Sequence, residues 1–228
     1  MPSSSFAKLT SPNSPRKLAE WVDGEVEFSG HDCPIFPEHS CNGERAGDLS
    51  VALPGREVDD FVWTWYSECL VQDHVLDLFR KKRFTGFKTK PVKAKFKRAD
   101  GAKPPRLQEL VVTGWGGMAE PQSGIKRLSF CPHCKSVQYR TWTNPDALMN
   151  EAQWDGSDFF MIWPMPKYIF ITSRVVQAIE EAKLTGYRLV GISNLYASSG
   201  TLTPGPLSEW MPERLAHERG KACGIEEI

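Results

Sequence analysis

YIFITSRVVQAIEEAKLTGYRLVGI, residues Tyr168 to Ile192, is the stretch from which the fold can be read. Tyr168 to Ile171 is an apolar, β-favouring run. Ser173 stands where a helix N-cap is expected, and Val175, Val176, Ile179, Ala182 and Lys183 follow at helical spacing, so the helix offers one apolar stripe to a sheet. Thr185-Gly186 closes the helix, because glycine takes the left-handed conformation of a C-terminal cap without strain. Tyr187 to Ile192 then resumes extended alternation. The expected order is strand, helix, turn, strand.

The same order occurs one hundred residues earlier, in CLVQDHVLDLFRKKRFTGFKTKPV, Cys69 to Val92. Val75 matches Val175, Phe79 matches Ile179, Phe84 matches Leu184, and Thr85-Gly86 matches Thr185-Gly186, while Trp63 and Trp163 share the offset. Few residues are identical, but the grammar is kept without a gap. A duplicated structural unit explains this; the alternative is two unrelated units that agree by chance.

Helices do not alternate strictly with strands around these units, so the expected class is α+β, with the repeats packed into one mixed-sheet body carrying a Cys-containing knuckle insert. Residues 1–17, rich in Ser, Pro and basic residues, read as a flexible leader, and 18–228 as a single globular domain. Within it the units span about 61–97 and 159–195, the CxxC insert about 107–158, and a wrapping tail 196–228. GWGG, Gly114 to Gly117, reads as a glycine-rich loop, PDALMNEAQW as a short helix, and Pro212 to Arg219 as another.

Charge is balanced at 28 basic and 28 acidic residues among 228, so no global attraction to nucleic acid or membrane is expected. Eight tryptophans and twelve phenylalanines serve either a large aromatic core or an aromatic partner-binding surface. No apolar run is long enough to span a bilayer, and the first residues carry no secretion signal. A cytoplasmic protein is the expectation, and in a reducing compartment its six cysteines should be thiols or metal ligands.

Cys131 and Cys134 form CPHC, a spacing that lets two thiolates chelate one tetrahedral zinc from a tight turn. The other half of such a site must come from a second Cys/His pair. His31, Cys33, His39 and Cys41 cluster in an N-terminal loop, and Cys33 with Cys41 is the expected complement. A redox pair and inert thiols are the alternatives to zinc. Cys69 aligns with Ile169 and should be a buried apolar position. Asp59, Asp60, Asp155 and Asp158 read as caps and turn formers.

Lysine and arginine concentrate between Arg80 and Arg98, with Phe84, Phe87 and Phe96 interleaved. This face suits an acidic protein partner, a nucleic acid, or plain solvation. Unit two carries Glu180 and Glu181 where unit one has Arg80 and Lys81, so the face belongs to one repeat alone. Lys81, Lys82, Lys88, Lys90 and Lys93 are the expected partner-binding residues.

The module aromatic strand, Ser-Arg-Val-Val, helix, Leu-Thr-Gly-Tyr, strand, with its earlier copy and CPHC between, resembles the double-CXXCG-motif family. The similarity is one of pattern and covers about Asp60 to Leu195. Cys134 is followed here by Lys135 rather than glycine, and CPIFPEHSC stands in place of a second CxxC. The resemblance implies a bacterial immunity protein that neutralises a cognate polymorphic toxin by occlusion. On that view the partner is the toxin, neither membrane nor nucleic acid is the expected target, and the chain is not an enzyme. The alternative function is a nucleic-acid-associated zinc-knuckle binding protein.

Overall fold

The computed structural model describes residues 6–228 except 13, 37–38, 42, 44, 99–100 and 197–199, and at 16, 31, 40 and 41 it describes the main chain alone. In chain order the strands are β1 (Phe6–Thr10), β2 (Glu20–Trp21), β3 (Glu27–Phe28), β4 (His31–Asp32), β5 (Ser40–Cys41), β6 (Arg45–Ala46), β7 (Leu49–Leu53), β8 (Phe61–Trp63) and β9 (Cys69–Gln72). Helix α1 (Asp73–Lys81) leads to β10 (Phe87–Phe96), β11 (Leu107–Val112), β12 (Gly114–Met118), β13 (Arg127–Phe130), β14 (Val137–Arg140), β15 (Phe159–Trp163) and β16 (Ile169–Thr172). Helix α2 (Ser173–Glu181), β17 (Arg188–Gly191), β18 (Thr201–Leu202) and α3 (Glu213–Cys223) complete the chain. The class is mixed α+β.

The duplicated unit is present at the expected offset: β9 and α1 span 69–81, β16 and α2 span 169–181. Each unit is a hairpin followed by a split β-α-β. One sheet runs β2-β7-β10-β11-β9-β8, the other β12-β15-β16-β1-β17. In both, the strands before and after the helix are separated by one antiparallel strand. In unit one that strand is β11, which follows β10 directly; in unit two it is β1, from the start of the chain.

Part of the expected leader is therefore a central strand. Phe6 packs on one face of its sheet and Leu9 on the other, at 7% and 1% exposure. Coverage on both faces removes the alternation that would mark a strand in the sequence.

The helices pack side by side in one core fed by both sheets. Val75, Leu76 and Phe79 of α1 and Val175, Ala178 and Ile179 of α2 meet Phe61, Val71 and Leu110 from one sheet and Leu9, Phe159 and Ile171 from the other. Cross-unit ring contacts repeat: Phe87 meets Phe159 at 5.1 Å between centroids, and its counterpart Tyr187 meets Phe61 at 5.5 Å. Burying each such aromatic contributes roughly 2–3 kcal/mol.

Both helices end in a Schellman motif rather than at Thr-Gly. Phe84 N–H donates to the carbonyl of Phe79 and Arg83 N–H to that of Arg80; Leu184 and Lys183 repeat the pattern onto Ile179 and Glu180. The left-handed residues are Arg83 (φ 55°) and Lys183 (φ 52°). The glycines have a different reason. A Cβ at Gly86 would stand 2.0 Å from the Phe159 carbonyl oxygen, and one at Gly186 would stand 2.1 Å from that of Phe61. Glycine is required because each turn lies against the other unit's strand.

Smaller differences have local causes. The N-cap of α2 is Thr172, not Ser173, and its hydroxyl donates to Asp158 instead of capping the helix. Gly114–Met118 is a strand beside β15, with its glycines packed under neighbouring side chains. Residues 145–153 form two 3-10 turns, each opened by an asparagine whose side chain accepts an N–H two residues on.

Candidate metal centre

The knuckle is the turn between β13 and β14. Cys131 N–H donates to Ser136 O, and Lys135 N–H donates to Cys131 O, both at 2.9 Å. These bonds fold CPHC so that both thiols face one side. Lys135 takes φ 59°, the left-handed region. It occupies the position where the double-CXXCG pattern has glycine.

The opposing residues come from the short hairpin β4–β5, in which His31 pairs with Cys41. Cys33 follows the first strand and His39 precedes the second, so both project from the hairpin's loop. Phe36 N–H donates to Cys33 Sγ at 3.4 Å, and the Phe36 ring lies 5.0 Å from the His39 imidazole between centroids.

The two halves meet. Cys33 Sγ lies 3.8 Å from Cys131 Sγ, and Cys134 Sγ lies 3.7 Å from His39 Nδ1. All four ligand atoms fall within 4.8 Å of one another, close enough to hold a metal ion. A tetrahedron with metal–sulfur bonds of about 2.3 Å has edges of about 3.8 Å, which the two direct contacts match. The three thiols are buried, at 3–4% exposure, and are not oxidised to disulfides. Backbone hydrogen bonds from Cys134 and then His133 favour the Cys131 thiolate, assisted by His39 and the Cys134 side chain, and draw its pKa down to about 6 against the opposing effect of burial. A thiolate is the form that binds metal.

Of the four expected ligands, Cys33, Cys131 and Cys134 are brought together, and His39 completes the set. The main chain of Cys41 pairs with His31, and its side chain lies outside the described residues. The signal for His39 was the C-x5-H spacing within a single loop, shorter than the C-x7-C of Cys33 and Cys41. Cys69 is fully buried in the helix-facing core, where burial pushes its thiol pKa far up.

The five lysines do not form one patch. Lys81 and Lys82 are exposed at the end of α1, and Lys82 lies 3.8 Å from Glu181 of α2. Lys88 and Lys90 share one face of β10, while Lys93 projects from the other with Lys95 and Lys97. Lys95 and Lys97 reach Glu25 and Glu20 at 3.6 and 2.5 Å, so the N-terminal segment offsets part of the basic run.

Among the described residues, no helix is long and apolar enough to cross a membrane. No protein-family model matches this chain, and no curated protein matches it.

Proposed function

We propose that this chain is an immunity-type binding protein that neutralises a cognate bacterial toxin by covering it, with zinc at Cys33, His39, Cys131 and Cys134 as a structural staple. The observation that carries a binding role over a catalytic one is the closed ligand set. Three buried thiols and one imidazole account for all four vertices of a tetrahedron, which leaves no position for water or substrate and so favours structure over catalysis. Thiolate-rich donors favour zinc over magnesium or calcium. The staple joins a loop with little core of its own to the knuckle, and so shapes a surface rather than a reaction centre. The toxin as partner is supported by the resemblance of Ile171–Ile192, its earlier copy and CPHC to the double-CXXCG pattern.

The test is co-expression with the protein encoded beside this one, scored by growth and by a pull-down, with metal content measured on the purified chain. Rescue with a stable complex and one zinc per chain is the expected result. A harmless neighbour that forms no complex removes the neutralisation reading, and a chain purified gently without metal removes the staple.

A further inference from the structure

A cavity of about 840 Å³ opens between the face of the six-stranded sheet, the loop that carries His39, and the Pro/Gly-rich tail. Three lysines line it: Lys88 and Lys90 from β10, and Lys167 from the turn between β15 and β16. None of the three has an ion-pair partner among the described residues. The acids on the wall each have a partner. Glu68 accepts from Trp21 Nε1 and from Thr64, Glu109 forms a two-pronged pair with Arg45, and Glu209 is also partnered. Arg45 is itself nine-tenths buried, and its Nε has no hydrogen-bond partner among the described residues. Lys88, Lys90, Lys167 and Arg45 stand against Glu68, Glu109 and Glu209, so the lining carries one positive charge in excess, its three lysine ammoniums have no ion-pair partner among the described residues, and Arg45 leaves an unspent donor in the wall.

Aromatic side chains line it as well. Trp21 and Tyr66 stack at 3.8 Å, and Trp210 faces in from the tail. Tyr66 and Phe28 continue outward as an exposed rim, at 53% and 41% exposure. An occupant that fills the interior and also covers this rim is larger than a metabolite. We propose that the cavity seats an acidic, aromatic-bearing segment of a protein partner, its carboxylates meeting Lys88, Lys90 and Lys167 and its rings lying on Trp21, Tyr66 and Trp210. This rests on the reading of the chain as a protein-binding module and names the surface used. It also separates Lys88 and Lys90 from Lys81, Lys82 and Lys93.

The test is panning of a phage-displayed random peptide library against the full chain, followed by affinities for synthetic copies of the enriched peptides. Enriched sequences should be acidic and contain aromatics. Their affinity should fall at least about tenfold in the variant K88E/K90E/K167E, and by less in K88Q/K90Q/K167Q. It should also weaken with salt. Matching thermal transitions for the three proteins exclude misfolding as the cause. No enrichment, enrichment of neutral or basic peptides, or equal binding to the reversed variant overturns the proposal. So does tight binding of single-stranded DNA that the same reversals abolish, which would assign the lysines to nucleic acid. Neutralisation is judged separately: rescue that survives the triple reversal removes the cavity and keeps the immunity reading, while lysine-dependent peptide binding without rescue does the opposite.

Discussion

Asp60 accepts both the main-chain N–H and the hydroxyl of Thr185, at 2.7 and 2.9 Å, across 125 residues of sequence. Asp158 does the same for Thr85, at 3.1 and 3.4 Å. Each threonine returns the bond, accepting the aspartate's own N–H at 3.1 and 3.3 Å. A helix residue completes each latch: His74 lies 2.7 Å from Asp60, and Arg174 lies 3.0 Å from Asp158. The two units thus exchange the same turn, as two subunits do across a two-fold axis.

The latches differ in burial, and that sets a first prediction. The Asp158 side chain is 4% exposed and also accepts from Thr172, whereas that of Asp60 is 19% exposed. Losing a buried acceptor strands its donors, while water replaces an exposed one. Asp158→Ala should cost about 2–4 kcal/mol and Asp60→Ala about 1–2 kcal/mol in urea unfolding. Equal losses would show that burial does not govern these bonds.

A second prediction concerns the turns that the latches hold. Gly86 and Gly186 have φ of 84° and 81°, and an added Cβ would press on a main-chain oxygen of the opposite unit. Neither strand can retreat without breaking its sheet pairing. Gly86→Ala and Gly186→Ala should each destabilise by about 3 kcal/mol or more. The open position Gly24, whose Cβ meets nothing within 4 Å, should tolerate alanine with only the strain of its own φ. Comparable melting temperatures for Gly24→Ala and Gly86→Ala would remove close approach as the explanation.

The turns also show how far the sequence could be read. Thr85-Gly86 and Thr185-Gly186 identified the duplication, because periodicity and punctuation are local. Why glycine was needed could not be seen, since its constraint comes from a strand far away in sequence. Phe6–Thr10 was hidden for a related reason: its strand character is imposed by a slot between β16 and β17, not by alternation of its own. CPHC was legible as half a site because both ligands share one turn. His39 was one of four neighbouring donors in the sequence, and its place beside Cys134 depends on the fold of the loop between β4 and β5.

Metal removal should act locally. The ligand loop is held by two pairings of two-residue strands, β3 with β6 and β4 with β5, and by the pair of Arg45 with Glu109 at its end, while Cys33 is buried in the thiol cluster. The main sheets draw on separate cores. Chelation, or His39→Ala, should raise hydrogen exchange through about residues 27–46 and 131–136 while α1, α2 and their strands stay protected. Global unfolding on chelation, or unchanged exchange in the loop, would contradict a local staple.

Lys8 supplies a pH dependence. Its ammonium lies 3.2 Å from the centre of the Tyr168 ring, and burial first, then nearby Arg188, lowers its pKa from 10.5 to about 8. Between those values the unfolded chain holds a proton that the folded chain lacks, so raising the pH through that window stabilises the fold. Below about pH 8 the cost of burying the charge is fully present. Lys8→Met should therefore be more stable than the parent at pH 7 by roughly 1–2 kcal/mol, allowing for the part of the amine that still meets water. That advantage should shrink toward pH 10. A constant difference across the range would mean that Lys8 does not titrate in this way.

Lys135 offers a test of the knuckle that does not touch a ligand. At φ 59° a side chain costs about 1–2 kcal/mol that glycine avoids. Glycine gives back part of this through a more flexible unfolded chain, and through loss of the contact between Lys135 and the Phe130 ring at 5.7 Å. Lys135→Gly should then stabilise the protein by a few tenths to about 1 kcal/mol. Zinc affinity, read by competition with a chromogenic chelator, should hold or rise, because the turn that aims Cys131 and Cys134 is relaxed rather than altered. Lower stability together with weaker zinc binding would mean that the lysine side chain itself holds the turn.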